Sequence, residues 1–194
     1  MPTGVPLRDP RAHLVAAAER VLVRDGPGAL TSRAVTEEAG MAKGVLHRHF
    51  ATVDDLLVAL VEERITAIER RTATLHDAAG TGTVVGIVSR VLVETIDPVV
   101  IGIVGLAISR DSLRSRLPRR GLPVLPEVAG MLSAYLAAER GLGRISAGAD
   151  PDVLARTLVG TGHLLLAGEL GALPDAGAVA EVVESALVGA LPGP

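Results

Sequence analysis

The sequence predicts an all-α protein in two parts, an N-terminal three-helix unit over residues 1–51 and a larger helical part over residues 52–194. Three observations predict it. Apolar residues recur three and four apart in segment after segment, which is the spacing of one helix face. Gly and Pro stand between those segments as punctuation. Asp or Thr opens several of them, where a side-chain oxygen can take the first free N–H groups of a helix.

The first helix starts at Asp9, an N-cap, with Pro10 in the first helical position, where its missing N–H costs nothing. Leu14, Val15, Ala18, Val21 and Leu22 share one face, and Gly26 and Pro27 end the helix. Thr31 caps a second helix that buries Val35 and Ala39. Gly40 follows, the one residue type that enters a left-handed turn without a Cβ penalty. A third helix is expected from Ala42 to His49. Thr52 and Asp55 have the spacing of a capping box, with Asp in place of Glu, and open a long fourth helix towards His76.

Beyond Gly80 and Gly82 the periodicity predicts helices over 83–97 and 99–110, divided at Asp97–Pro98 because Pro disfavours helix at the residue before it. Residues 115–126, rich in Pro and Arg, read as a loop, and the arginines from Arg114 to Arg120 as a solvated cluster. Helices are then expected from about Glu127 to Glu139, over 151–169 and over 176–190. Residues Val153 to Leu166 are apolar nearly all round, which suits a core helix or a helix paired with a partner.

The third helix divides into two faces. Leu46 and Phe50 are four apart and anchor it, which leaves Lys43, Gly44, Val45, His47 and Arg48 outside. Lys and Arg donate to guanine or phosphate, and Val can touch a thymine methyl. On its own this is an ordinary solvated face. Set behind a tight turn in a three-helix unit, it is how a helix-turn-helix enters the DNA major groove.

Residues 11–57 resemble the N-terminal DNA-binding domain of the tetracycline-repressor (TetR) family. The matching pieces are AAAERVLVRDG, LTSRAVTEEAGMAKG and GVLHRHF leading into TVDDLL. The resemblance implies a homodimeric transcription regulator, usually a repressor, that binds a palindromic double-stranded operator and is released by a small molecule. It implies an N-terminal DNA-binding domain and a C-terminal domain for effector binding and dimerisation. Thr31, Arg33, Lys43, Gly44, Val45, His47, Arg48 and His49 would then contact DNA. The last two helices would form the dimer, through Leu158, Gly162, Leu165, Val183 and Leu187. Two positions depart from the family. His47 stands where a tyrosine is usual, and Val53 where a lysine usually adds a phosphate contact.

Composition is consistent with this reading. The net charge is −3, but residues 1–50 carry seven Lys and Arg against five Asp and Glu, with three His besides. The positive end lies where the helix-turn-helix lies. The chain has no Cys, so disulfides and thiolate metal sites are excluded, and no metal or cofactor is expected. The N-terminus lacks the apolar core of a signal peptide, and Val99–Ile108 is too short to span a bilayer, so a cytoplasmic protein with no membrane partner is expected.

With one Tyr, one Phe and no Trp, an effector pocket would be lined by aliphatic side chains, and an apolar or amphipathic effector is expected. Glu94, Tyr135 and His163 are the candidate polar contacts. His163 reads equally as a satisfied core histidine, and Glu94 as a partner of Arg90. An enzyme is the competing class, but no Gly-x-Ser-x-Gly, phosphate-binding loop or His-Glu-x-x-His is present. A helical interaction protein without DNA binding is the other alternative, supported only by Val53.

Overall fold

The computed structural model describes residues 9–117 and 123–192, and among these every regular element is helical. The helices are α1 (Pro10–Asp25), α2 (Ser32–Glu38), α3 (Leu46–His49), α4 (Val53–Asp77), α5 (Val84–Thr95), α6 (Pro98–Ser109), α7 (Asp111–Arg114), α8 (Leu125–Gly141), α9 (Pro151–Leu166) and α10 (Ala176–Leu187). A single 3₁₀ turn, Pro27–Ala29, joins α1 to the strand-like approach to α2.

The caps expected from the sequence form. Asp9 accepts from the Ala12 N–H at 3.0 Å and Thr31 from the Ala34 N–H at 3.1 Å. Thr52 and Asp55 make the reciprocal capping box of α4, at 2.8 and 3.2 Å. Gly40 turns the chain between α2 and α3 with φ +64°, where a Cβ would be strained. Asp97 and Pro98 end α5 and start α6, and the Asp97 carboxylate accepts from the Val100 N–H at 2.9 Å.

The third helix is shorter than expected. Residues 42–45 form a turn, closed by the Val45 N–H donating to the Ala42 carbonyl at 2.9 Å. Only Leu46–His49 is helical. Gly44, a poor helix former, lies in that turn. α7 was not expected at all. Of the arginine cluster, Arg116 is exposed but paired: it donates to Asp55 at 2.6 Å, 61 residues away. Residues 118–122 of the predicted loop, the N-terminal residues 1–8 and residues 193–194 lie outside the described residues.

α1, α2 and α3 pack around Leu14, Val15, Val21, Leu30, Val35 and Leu46, all buried. α4 is roughly 37 Å long at 1.5 Å per residue and packs on both α1 and α8. α8 packs chiefly on α9 and α4, and α10 closes over α5 and α9. α6 lies on α1 so closely that a Cβ on Gly102 would fall 2.7 Å from Leu22 Cγ. Two arginines tie the first helices to the rest, and a third braces the start of α4. Arg64 of α4 bonds Glu19 of α1 at 2.8 Å and Asp97 at 2.9 Å, Arg110 donates to the Leu30 carbonyl and Asp54, and Arg116 donates to Asp55.

The glycines of these helices therefore differ in what they permit. Gly102→Ala should destabilise the protein, because overpacking costs about 1–3 kcal/mol against a helix-propensity gain of about 1 kcal/mol. Gly130→Ala in α8, whose Cβ would meet nothing within 4 Å, should keep the gain and raise the melting temperature. Calorimetry of the two variants decides it: equal shifts would mean α6 can yield against α1.

Candidate nucleic-acid interface

Leu46 and Phe50 are buried, at 0% and 4% exposure, and hold α3 to its neighbours. The Arg11 guanidinium sits 4.8 Å from the Phe50 ring centroid, so the anchor is also covered from α1 by a cation–π contact. With Leu46 and Phe50 inside, Lys43, Gly44, His47, Arg48 and His49 are exposed and Val45 is partly so. Lys43 and Gly44 belong to the turn before α3 rather than to the helix, so they sit at its leading end.

The cations near this surface are in different states. Arg20 and Arg24 of α1 are engaged by Glu38 at 2.7 and 2.6 Å. Arg33 pairs with Glu37 at 2.7 Å, one turn on and fully at the surface, where such a pair is weak and open to competition. Lys43 and Arg48 have no acidic partner among the described residues. Their charge is therefore free for an anion. Thr31 Oγ1 accepts from Ala34 N–H, which leaves the hydroxyl proton free to donate outward. Arg33 and Thr31 lie at the start of α2, both exposed.

His47 is held by its own backbone. Its Nδ1 lies 3.3 Å from the Ala51 carbonyl, which can only accept, so Nδ1 carries the proton and donates. Nε2 is left facing outward as an acceptor in the neutral ring. Val53, the first residue of α4, is half-buried against the core rather than presented to solvent.

The residues expected at an effector site are not gathered together. Glu94 is exposed, and its backbone carbonyl accepts from Arg71 at 3.0 Å; no bond to Arg90 forms. Tyr135 is fully buried and donates to Glu139 Oε1 at 2.6 Å. Glu139, with 0% exposure, also accepts from the Gly80 N–H at 3.2 Å and meets Arg144 at 3.3 Å, so this network ties α8 to the end of α4. His163 is half-buried, and its Nδ1 has no hydrogen-bond partner. Burial holds its pKa below the ordinary imidazole value. Among the described residues no group of three or more His, Asp or Glu could hold a metal.

The dimer contacts expected of Leu158, Gly162, Val183 and Leu187 are corrected by their burial. Leu158, Val183 and Leu187 are at most 2% exposed inside the chain itself. Gly162 is buried and faces α5, where a Cβ would meet Leu92 at 3.4 Å, an ordinary contact. Leu165 is partly exposed but also packs on the core. A helix apolar all round spends one face within its own chain first. The apolar residues left outside on α9 and after α10 are Val153, Leu164 and Val188, at 51%, 45% and 72% exposure.

Sequence spacing could not find Arg110, Arg116 or Glu139, whose partners lie 56 or more residues away or in a buried network. Buried Glu139 four residues after Tyr135 was the only local signal.

Known proteins share part of this sequence and its fold. Residues 14–60 match the family model described as "Bacterial regulatory proteins, tetR family". No curated protein matches the chain. Among solved structures, a TetR-family member from Streptomyces coelicolor A3 is 26% identical, with 95% of this chain and 100% of that chain covered and a TM-score of 0.65. The multidrug binding protein EbrR, complexed with imidazole, is 26% identical over 97% of this chain and 98% of that one, with a TM-score of 0.60. A structure described as the molecular basis for control of antibiotic production by bacterial hormones has the same fold, with 24% identity, 94% and 97% coverage and a TM-score of 0.73.

The Tyr135–Glu139 bond sets a measurable pH dependence. Burial, then the bond to Glu139, push the phenol well above its ordinary pKa. The folded state thus holds this proton more tightly than the unfolded one. Its contribution is complete below about pH 10 and is lost as pH rises further. Tyr135→Phe should cost about 1–3 kcal/mol at neutral pH, since a buried carboxylate loses a donor. Urea midpoints of the wild type should also fall towards those of the variant above about pH 10; parallel pH profiles would refute the linkage.

Proposed function

We propose that the chain, whose residues 14–60 match the tetR-family model, is a DNA-binding transcriptional regulator of that family and a homodimeric repressor released from a palindromic operator by a small apolar or amphipathic effector. Lys43 and Arg48, exposed without acidic partners beside the buried Leu46–Phe50 anchor, carry the reading. In this reading residues 1–51 are the DNA-binding domain and residues 52–194 bind the effector and the second subunit. Thr31 and Arg33 address phosphates from the start of α2. Lys43, Gly44, Val45, His47, Arg48 and His49 lie at the groove. His47, with Nδ1 committed to Ala51, accepts from an exocyclic amino group or, once protonated, donates to a phosphate.

Members of the family are generally not enzymes, and we read this chain likewise, as a protein of the cytoplasm with no cofactor and no membrane partner. Among the described residues no single helix is long and apolar enough to cross a membrane. A small-molecule effector is supported by the likeness to a multidrug binding protein. Effector and operator must oppose each other reciprocally: a ligand releases DNA only by preferring the DNA-free form, and DNA then weakens the ligand equally. α4, which packs on α1 and on α8, is the element through which the two parts would sense each other.

Lys43→Ala and Arg48→Ala should each weaken operator binding. A base contact should cost about 1–3 kcal/mol and relax specificity, and a phosphate contact should lower the salt slope by about one. Unaltered gel-shift affinity in the double variant would overturn the assignment. For the dimer, the exposed apolar residues Val153 and Leu164 of α9 and Val188 after α10 are the natural contact. Leu164→Glu should yield helical monomers in light scattering, whereas an intact dimer would move the interface elsewhere.

A further inference from the structure

Between α8 and α9 lies an open cavity of about 510 Å³, within the range of small-molecule sites. None of the sequence-based effector candidates lines it. Its wall is mostly apolar: Leu125, Pro126 and Ala129 from α8, and Val159 from α9. We propose that this cavity binds a small aliphatic molecule with a carboxylate head, the chain lying along that wall and the head on Arg156. The proposal rests on the effector-responsive reading above and names the site and ligand class for it.

Two further observations point to a ligand. Gly130 of α8 and Gly160 of α9 both line the cavity, and a Cβ on either would meet nothing within 4 Å. Glycine weakens a helix relative to alanine, and here no packing within the chain requires it. Gly162, two residues on, differs because Leu92 stands against it. Both glycines are exposed, and their missing side chains leave the mouth of the cavity open. The second observation is polar. Arg156 lines the cavity, is exposed and has no acidic partner among the described residues, although Asp152 lies one turn before it. Asp152 lines the cavity as well, but its carboxylate already accepts from the Ser133 hydroxyl, from across the gap on α8, and as an anion it has no donor to offer a ligand. The group left to read a ligand is thus a guanidinium, which only donates and pairs with a carboxylate through two parallel bonds. The described wall has no aromatic ring, so the apolar body it suits is aliphatic.

The experiment measures octanoate, octanol and octylamine by calorimetry on the full chain, with and without operator. Octanoate should bind most tightly and octylamine about tenfold or more weakly, the size of effect expected from one charge-assisted pair. Arg156→Gln, at an exposed position, should remove the preference for octanoate while octanol binding persists. Gly130→Leu, checked for helicity by circular dichroism, should abolish binding of both. Failure of octanoate to bind the wild type, an unchanged preference in Arg156→Gln, or unchanged affinity in a folded Gly130→Leu overturns the site. A Gly130→Leu variant that changes oligomeric state with octanoate affinity intact assigns the groove to a second copy of the chain and also overturns it. Octanoate that follows the expected pattern but binds equally with and without operator supports the site and overturns only its role in release.

Discussion

The joint on which the rest of the molecule depends is the start of α4. There the Thr52–Asp55 capping box satisfies free N–H groups of a 25-residue helix. The same few residues receive the arginines of the later chain, Arg116 on Asp55 and Arg110 on Asp54 and the Leu30 carbonyl. The Asp55 carboxyl is held below its ordinary pKa, chiefly by the Thr52 hydroxyl. It therefore supports the folded state as an anion, and that support is lost as acid protonates it. One short segment thus starts the longest helix and ties the helix-turn-helix to the helices behind it.

The same economy of charge explains how an acidic protein can address DNA. Several arginines of the first helices are spent internally: Arg20 and Arg24 on Glu38, and Arg33 on Glu37. The cations left without an acid include Lys43 and Arg48, on the turn and helix that the buried Leu46 and Phe50 orient. Net charge is thus a poor guide here, and the distribution of unpaired charge a better one. The Arg33–Glu37 pair lies at the surface, where such a bond is weak and open to competition.

Close packing sets the remaining geometry. Gly102 lets α6 rest on Leu22 of α1. Buried Glu139 collects Tyr135, Arg144 and the Gly80 N–H at the far end of α4. α4 is thereby held at both ends by polar bonds and along its length by apolar burial.

By itself the sequence determined what depends on neighbours within about one helical turn. Asp9, Thr31, Thr52 with Asp55, Gly40 and Pro98 act through their own backbone, and each sits where its chemistry predicts. The outward face of the recognition segment was legible for the same reason, since Leu46 and Phe50 turn the other residues out. Tertiary structure decided what distant residues share. It shortened α3 to Leu46–His49, paired the exposed Arg116 with Asp55, and placed Leu158, Val183 and Leu187 inside the chain. Periodicity reports that a face is apolar but not what covers it, because burial against another helix and burial against another subunit require the same side chains. Only the packed arrangement shows which surface has been used and which cavity, here the one between α8 and α9, has been left open.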